Sequence, residues 1–221
     1  MAQSARRKKE SDGSAVKMVA AIVGVVILAA GAVAIGSSLG SDGDSGTVSD
    51  GVNEYRPVTV TGEALPQGAN TESDPAIGTQ VPVLVGKSHT GESVTIDPAT
   101  DGKPTMVVFL AHWCPHCNSE VPVLNEWKDK GLVPEDLRIV GVTTASRNDQ
   151  PNWPPSRWIK KMDWTWEVMA DSEQQTASAS YGVDGYPFVT VVDGQGKVLS
   201  RWSGEKGLDT ITQLVNTALG K

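Results

Sequence analysis

One stretch constrains this chain more than any other. Thr105-Met106-Val107-Val108-Phe109-Leu110-Ala111 is a continuous apolar run, and Cys114-Pro115-His116-Cys117 follows almost at once. Such a run suits a central strand covered on both faces. The Pro after the first Cys suits the first turn of a helix, where its missing N–H has no intrahelical partner to lose. A strand-to-helix turn must therefore fall at Cys114 and Cys117, the only two cysteines among 221 residues.

Around that turn, strand-like and helix-like patterns alternate. Val58–Thr61, Val81–Val85 and Val94–Ile96 read as short strands. A helix begins at Cys114 or Pro115 and runs to about Lys130, ended by Gly131. Leu137–Val142 is the next strand, Pro155–Met162 a helix, Trp166–Met169 a strand and Ser172–Tyr181 a helix. Phe188–Val192 and Lys197–Trp202 form a hairpin across Asp193-Gly194-Gln195-Gly196, and Leu208–Leu219 closes as an amphipathic helix. This order predicts an α/β layer sandwich, mostly parallel, with an antiparallel hairpin at its edge. Pro122 is expected to sit inside the first long helix and kink it.

Before the domain lies a segment of another character. Met18 to Leu39 is 22 residues without a charge, about 33 Å as a helix and long enough for a bilayer core of roughly 30 Å. Arg6, Arg7, Lys8, Lys9 and Lys17 precede it against Glu10 and Asp12, and no comparable basic cluster follows. The positive-inside rule then puts residues 1–17 in the cytoplasm as a basic tail and everything past residue 40 outside. The competing reading is a cleaved signal peptide ending at Ala32-Val33-Ala34. Either way the domain is exported to a compartment where disulfides persist. Residues 40–56, rich in Gly, Ser and Asp, read as a flexible acidic linker, and 57–221 as the folded domain. The net charge of −7, with all its positive excess in the first 17 residues, excludes a nucleic-acid-binding domain.

Cysteines at i and i+3 on a first helical turn can close a disulfide and reopen it. Cys114 lies where free backbone N–H groups and the helix dipole stabilise an anion, so it is the attacking sulfur. Cys117, one turn in, resolves the mixed disulfide, and His116 helps tune the Cys114 thiolate. A zinc site completed by His112 and His116 would need four ligands from six consecutive residues. A c-type haem is excluded because residue 118 is Asn. A structural disulfide closing so small a loop would constrain the unfolded chain little.

With these residues in view, the domain resembles the thioredoxin superfamily, and within it the membrane-anchored extracytoplasmic thiol–disulfide oxidoreductases of the TlpA/ResA kind. The likeness covers roughly residues 75–221. It rests on Phe109-Leu110-Ala111, Trp113-Cys114, Cys117, Glu120, Pro122-Val123-Leu124, Tyr181-Gly182-Val183, Gly185-Tyr186-Pro187 and Asp193-Gly194-Gln195-Gly196. The resemblance implies a thioredoxin-like three-layer sandwich on a central mixed sheet, preceded by one transmembrane helix. It implies a cis Pro187 that exposes the backbone of Tyr186 to a substrate chain, with Trp113 shaping the surface beside Cys114. It implies no organic cofactor and no metal, the disulfide being the electron carrier. The implied partners are exported protein thiols or disulfides and a membrane redox partner that resets the pair. The protein is expected to be a monomer, held by a single pass in the bacterial cytoplasmic membrane.

Two features depart from that pattern. The buried acid that thioredoxins and DsbA-type enzymes carry six residues before the first Cys is Val108 here, so Glu120, His112 or water is left to transfer the proton. The Pro115-His116 dipeptide is the one associated with DsbA-type oxidases, whereas the overall organisation resembles reductases serving cytochrome c maturation. The dipeptide predicts an oxidant with a potential above about −200 mV. A copper chaperone using the same thiols is a rival from another class. A thiol peroxidase is less well supported, because no Thr-x-x-Cys precedes the site. Trp153, Trp158, Trp164 and Trp166 are expected to pack an inserted helix onto the sheet, with Trp153 the candidate for an exposed rim. His112 is expected at an exposed strand end, and His89 in a plain turn.

Overall fold

The computed structural model describes residues 52–69 and 73–221. The predicted anchor and basic tail lie outside them, and among the described residues no helix is long and apolar enough to cross a membrane. The elements are β1 (Thr59–Thr61), β2 (Val83–Lys87), β3 (Ser93–Ile96), α1 (Pro98–Asp101), β4 (Thr105–Leu110) and α2 (Pro115–Asp129). Then follow β5 (Arg138–Thr143), α3 (Pro155–Lys161), β6 (Glu167–Ala170), α4 (Thr176–Ser180), β7 (Phe188–Val192), β8 (Val198–Ser203) and α5 (Leu208–Ala218).

All of β4 is buried, and its residues alternate between two cores. Met106, Val108 and Leu110 pack with Val121, Leu124 and Trp127 of α2, Trp158 and Ile159 of α3, and Ile211 and Val215 of α5. Val107 and Phe109 face the other way, onto Leu84, Ile96, Ala177, Tyr181 and Phe188. A strand apolar on both faces is the middle layer of a sandwich, as its sequence requires.

The strand order is β1-β2-β6-β5-β4-β7-β8, with β3 pairing β2. Only β4–β5 and β5–β6 run parallel; β4–β7, β7–β8, β1–β2, β2–β3 and β2–β6 are antiparallel. The mostly parallel order read from the apolar pattern is corrected, and the mixed sheet that the resemblance implies is the one that forms. The physical reason lies in the 171–187 connection: its one helix, α4, has five residues, about 7.5 Å, and the chain turns back at the edge it left. Strand β7 thus starts at the edge where β6 ends, with Phe188 opposite Phe109.

Two local differences have simple causes. Helix α1 escapes the sequence reading because four residues show no apolar period; it is set by Pro98 in the first turn and by Asp97, whose side chain accepts from Thr100 N–H. Residues 53–56, read as linker, are bonded to the domain, since Asn53 and Arg56 donate backbone N–H bonds to His89 O and Asp171 O. Pro122 does lie inside α2. Gly141 lets the indole of Trp164 lie against β5, where a Cβ would meet it at 2.8 Å.

Arg201 on β8 is buried and bonds both carboxylate oxygens of Asp74, and donates also to Pro66 O and Tyr181 O. It ties Pro66 and Asp74 to the edge strand.

Candidate active site

Strands β4, β5 and β6 end at one edge of the sheet and β7 begins there. That edge carries the two cysteines. Cys114 is the N-cap of α2, with extended backbone (φ −74°, ψ 122°) and no side-chain capping bond, and Pro115 takes the first helical turn. No acidic residue occupies that turn, so nothing within it opposes negative charge at the helix N-terminus. Cys114 is 5% exposed and Cys117 fully buried. The Cys114 thiol donates to Tyr186 O at 3.4 Å, and Cys117 Sγ accepts from Ala111 N–H at 3.5 Å. Burial pushes the Cys117 thiol far above its ordinary range, and the neighbouring Cys114 and Glu120 push the same way.

The Tyr186–Pro187 peptide bond is cis. It sets the Tyr186 carbonyl beside Cys114, while the Tyr186 ring meets the Trp113 ring edge-on at 6.1 Å. Trp113 and Tyr186 are each half-buried, so together they frame the one thiol that has any exposure.

Glu120 is buried one turn beyond Cys117. Its Oε2 accepts from Lys206 N–H at 2.8 Å, and its Oε1 has no partner among the described residues. Burial lifts its carboxyl to about 7, partly offset by the Lys206 N–H and ammonium. A carboxyl that exchanges its proton near neutral pH beside a buried thiol is suited to move a proton there. Val108, by contrast, is a packed core residue.

His112 is not at an exposed strand end. It is buried, and both ring nitrogens are engaged: Arg147 N–H donates to Nε2 at 3.1 Å, so the proton sits on Nδ1, which donates to Pro151 O at 2.8 Å. Burial lowers its pKa, and with neither nitrogen free the ring acts as a clip. His116 is exposed, and its Nδ1 faces Glu205 Oε1 at 3.5 Å; among the described residues it makes no hydrogen bond to Cys114. His89, read as a plain turn residue, is buried too, with Thr143 Oγ1 3.0 Å from Nε2 and Asn53 O 3.2 Å from Nδ1. Among the described residues no group of three His, Cys, Asp or Glu is arranged to hold a metal.

Three contributors were not legible as site residues. Asn118 donates to His112 O and Cys114 O and accepts from the indole of Trp158, bracing the first turn of α2. The loop 145–154 supplies Ala145 O to the Trp113 indole at 2.8 Å and Asn152 Nδ2 to His112 O, and ends in a second cis bond, Trp153–Pro154. The turn after β8 brings Glu205 to His116 and Lys206 to Glu120. The Asn and Glu-Lys positions carry no local signal; the Trp153-Pro154-Pro155 run was the only visible hint. Of the other tryptophans, Trp158 is buried, and the rings of Trp164 and Trp166 meet edge-on with centroids 4.9 Å apart, as packing requires.

A mixed-sheet sandwich with a dithiol at the N-terminus of its first long helix, facing a cis-proline loop, defines a thioredoxin-superfamily domain. Within that class the chain belongs to the AhpC/TSA family, which it matches over residues 77–201. It is 30% identical over 119 residues to the thiol:disulfide interchange protein HelX of Rhodobacter capsulatus, covering 54% of this chain and 62% of that one. It is 28% identical over 120 residues to the thiol:disulfide interchange protein DsbE of Haemophilus influenzae, covering 54% and 61%. The chain thus spans less than two thirds of the length of these relatives. Among solved structures it is similar to a Chlorobium tepidum protein assigned to the DsbE thiol:disulfide interchange type, with 26% identity, 65% and 98% coverage and a TM-score of 0.53. It is also similar to a thiol:disulfide interchange protein from Bacteroides sp., with 26% identity, 66% and 91% coverage and a TM-score of 0.50.

Proposed function

We propose that this chain is a thiol–disulfide oxidoreductase that exchanges a Cys114–Cys117 disulfide with exported proteins, as oxidant. The observation that carries the reading is the unequal placement of the sulfurs. Cys114 caps α2 between Trp113 and the Tyr186–Pro187 turn, while Cys117 is sealed behind it. A client thiolate attacks the Cys114 sulfur of the disulfide, and the S–S electron pair leaves on Cys117, which takes a proton from Glu120. A second client thiolate then attacks the client sulfur of the mixed disulfide. Cys114 departs with the electron pair, and the client leaves oxidised by two electrons. Trp113, Tyr186 and Pro187 dock the client backbone, and no cofactor takes part. In this reading residues 18–39 hold the domain on the outer side of a bacterial cytoplasmic membrane as a monomer. A membrane redox partner there reoxidises the pair. The names of the interchange relatives support the exchange chemistry.

A reductant, running the same steps backwards on exported clients such as those of cytochrome c maturation, is the second reading. It is favoured by the His116–Glu205 contact, because a carboxylate offsets the positive charge His116 would lend Cys114. The reduction potential, measured by equilibration with glutathione, separates them. A value above about −200 mV supports the oxidant, and one near the roughly −270 mV of thioredoxin overturns it. Failure to exchange with glutathione at all would overturn both.

A further inference from the structure

The chain just before β1 lies across the domain as a strap. Asn53 N–H donates to His89 O at 3.0 Å, Arg56 N–H to Asp171 O at 3.2 Å, and Arg56 Nη2 to His89 O at 2.9 Å. Held between those anchors, Glu54 and Tyr55 both reach the loop 145–154 or its exit. Glu54 accepts from Ser156 N–H at 2.8 Å and Ser156 Oγ–H at 2.5 Å, just past the Trp153–Pro154 bond. Tyr55 Oη–H donates to Ser146 O at 2.8 Å, and its ring lies 6.2 Å from that of Trp153. The strap therefore grips the loop at both ends.

The same loop faces the redox site. Residue 145 accepts from the Trp113 indole, residues 147 and 151 engage the two nitrogens of His112, and the Trp153 ring lies edge-on to the His112 ring at 5.8 Å. Ala145 holds left-handed backbone (φ 47°), which a residue with a hydrocarbon Cβ adopts rarely, and so does Asn152 (φ 63°), a residue type that tolerates it. Within the loop itself, Arg147 and Asp149 bond each other and Gln150 N–H reaches only Arg147 O. Among the described residues, what holds it from outside, away from the cysteines, is the strap.

We propose that Tyr55, assisted by Glu54, is a positioning residue of the redox site: it holds the 145–154 loop so that Trp113 stays set against Tyr186 beside Cys114. This rests on the reading of Cys114 and Cys117 as a working pair and adds to it a determinant of client docking. The chain that the sequence assigns to the tether thus shapes the surface that meets the client.

The test compares full-length wild-type protein with Tyr55→Ala and Tyr55→Phe, using a cysteine-pair peptide as client and dithiothreitol as a small thiol. Tyr55→Ala should raise KM for the peptide about tenfold, and Tyr55→Phe, which keeps the ring and loses one hydrogen bond, a few-fold. The kcat and the rate with dithiothreitol should stay at wild-type values. An unchanged peptide KM in Tyr55→Ala overturns the proposal, as does an equal loss of rate toward both substrates. Should Tyr55→Ala not fold, the Tyr55→Phe split carries the comparison. A second readout needs no activity: by NMR, His112 in wild type should be the neutral Nδ1–H tautomer, and Tyr55→Ala should shift its titration up toward the ordinary histidine range. A wild type inert toward both thiols would remove the redox reading while leaving this measurement able to decide the strap's role. An unshifted His112 would then refute it.

Discussion

Replacing Glu120 by Gln removes a buried proton-exchanging group while keeping its shape and an oxygen for Lys206 N–H. In the native state this carboxyl is lifted by burial from 4.5 to about 7. Between those values the folded protein holds a proton that the unfolded chain has released. Stability from this group is therefore full below about pH 4.5 and falls as pH rises through about 7. At about 1.4 kcal/mol per unit, the loss accumulates to about 3 kcal/mol. Glu120→Gln has no proton to lose, so its stability should not follow this slope. A Gln N–H₂ without a partner would subtract about 1 kcal/mol at every pH, which shifts the difference without tilting it. Urea unfolding of both proteins with the thiols kept reduced, at pH 4.5, 6, 7 and 8.5, reads the result. The variant should gain on wild type by about 3 kcal/mol from the lowest pH to the highest. A difference that stays flat across the series would refute the reasoning, and with it Glu120 as the group that protonates Cys117.

Cys117→Ser should accumulate mixed disulfides with clients on non-reducing gels while Cys114→Ser accumulates none, because attack survives without resolution but not the reverse; the opposite pattern exchanges the two roles. Arg201→Met leaves the half-buried Asp74 without its charged partner and should cost about 2–3 kcal/mol in denaturant unfolding. Gly141→Ala places a Cβ 2.8 Å from the Trp164 ring and should cost about 1–3 kcal/mol, seen as a lowered Tm.

What could be read in the sequence was what local pattern decides. The run from Thr105 to Ala111 announces a strand buried on both faces, because only the middle of a sandwich tolerates six consecutive apolar residues without alternation. Cys114 and Pro115 announce a helix start for reasons internal to the first turn. The cis bond before Pro187 came only with the likeness to a known superfamily, since spacing alone does not choose an isomer. The mixed sheet likewise comes only with that likeness; the apolar pattern misses the direction of β7, because it depends on how far the 171–187 connection travels, and five helical residues with one apolar turn do not reveal that. His112 was misplaced for a related reason: its partners lie 35 and 39 residues away, in a loop whose shape no short-range rule specifies. Glu120 could be nominated but not weighed, because its burial depends on Lys206, 86 residues further on.

The difference in access between the two thiols also bears on oxidative damage. A peroxide that reaches the edge of the sheet meets Cys114 and not Cys117, which has no exposed surface. Oxidation of Cys114 to a sulfenic acid would leave an intact thiol against it, and condensation expels water and forms the same disulfide that exchange uses. The lesion is thereby returned to the working cycle before it can climb to the irreversible sulfinic acid. In mass terms, peroxide-treated reduced protein should lose two hydrogens rather than gain two oxygens. Moving the second sulfur one turn out, toward solvent, would give up that repair along with the order of attack.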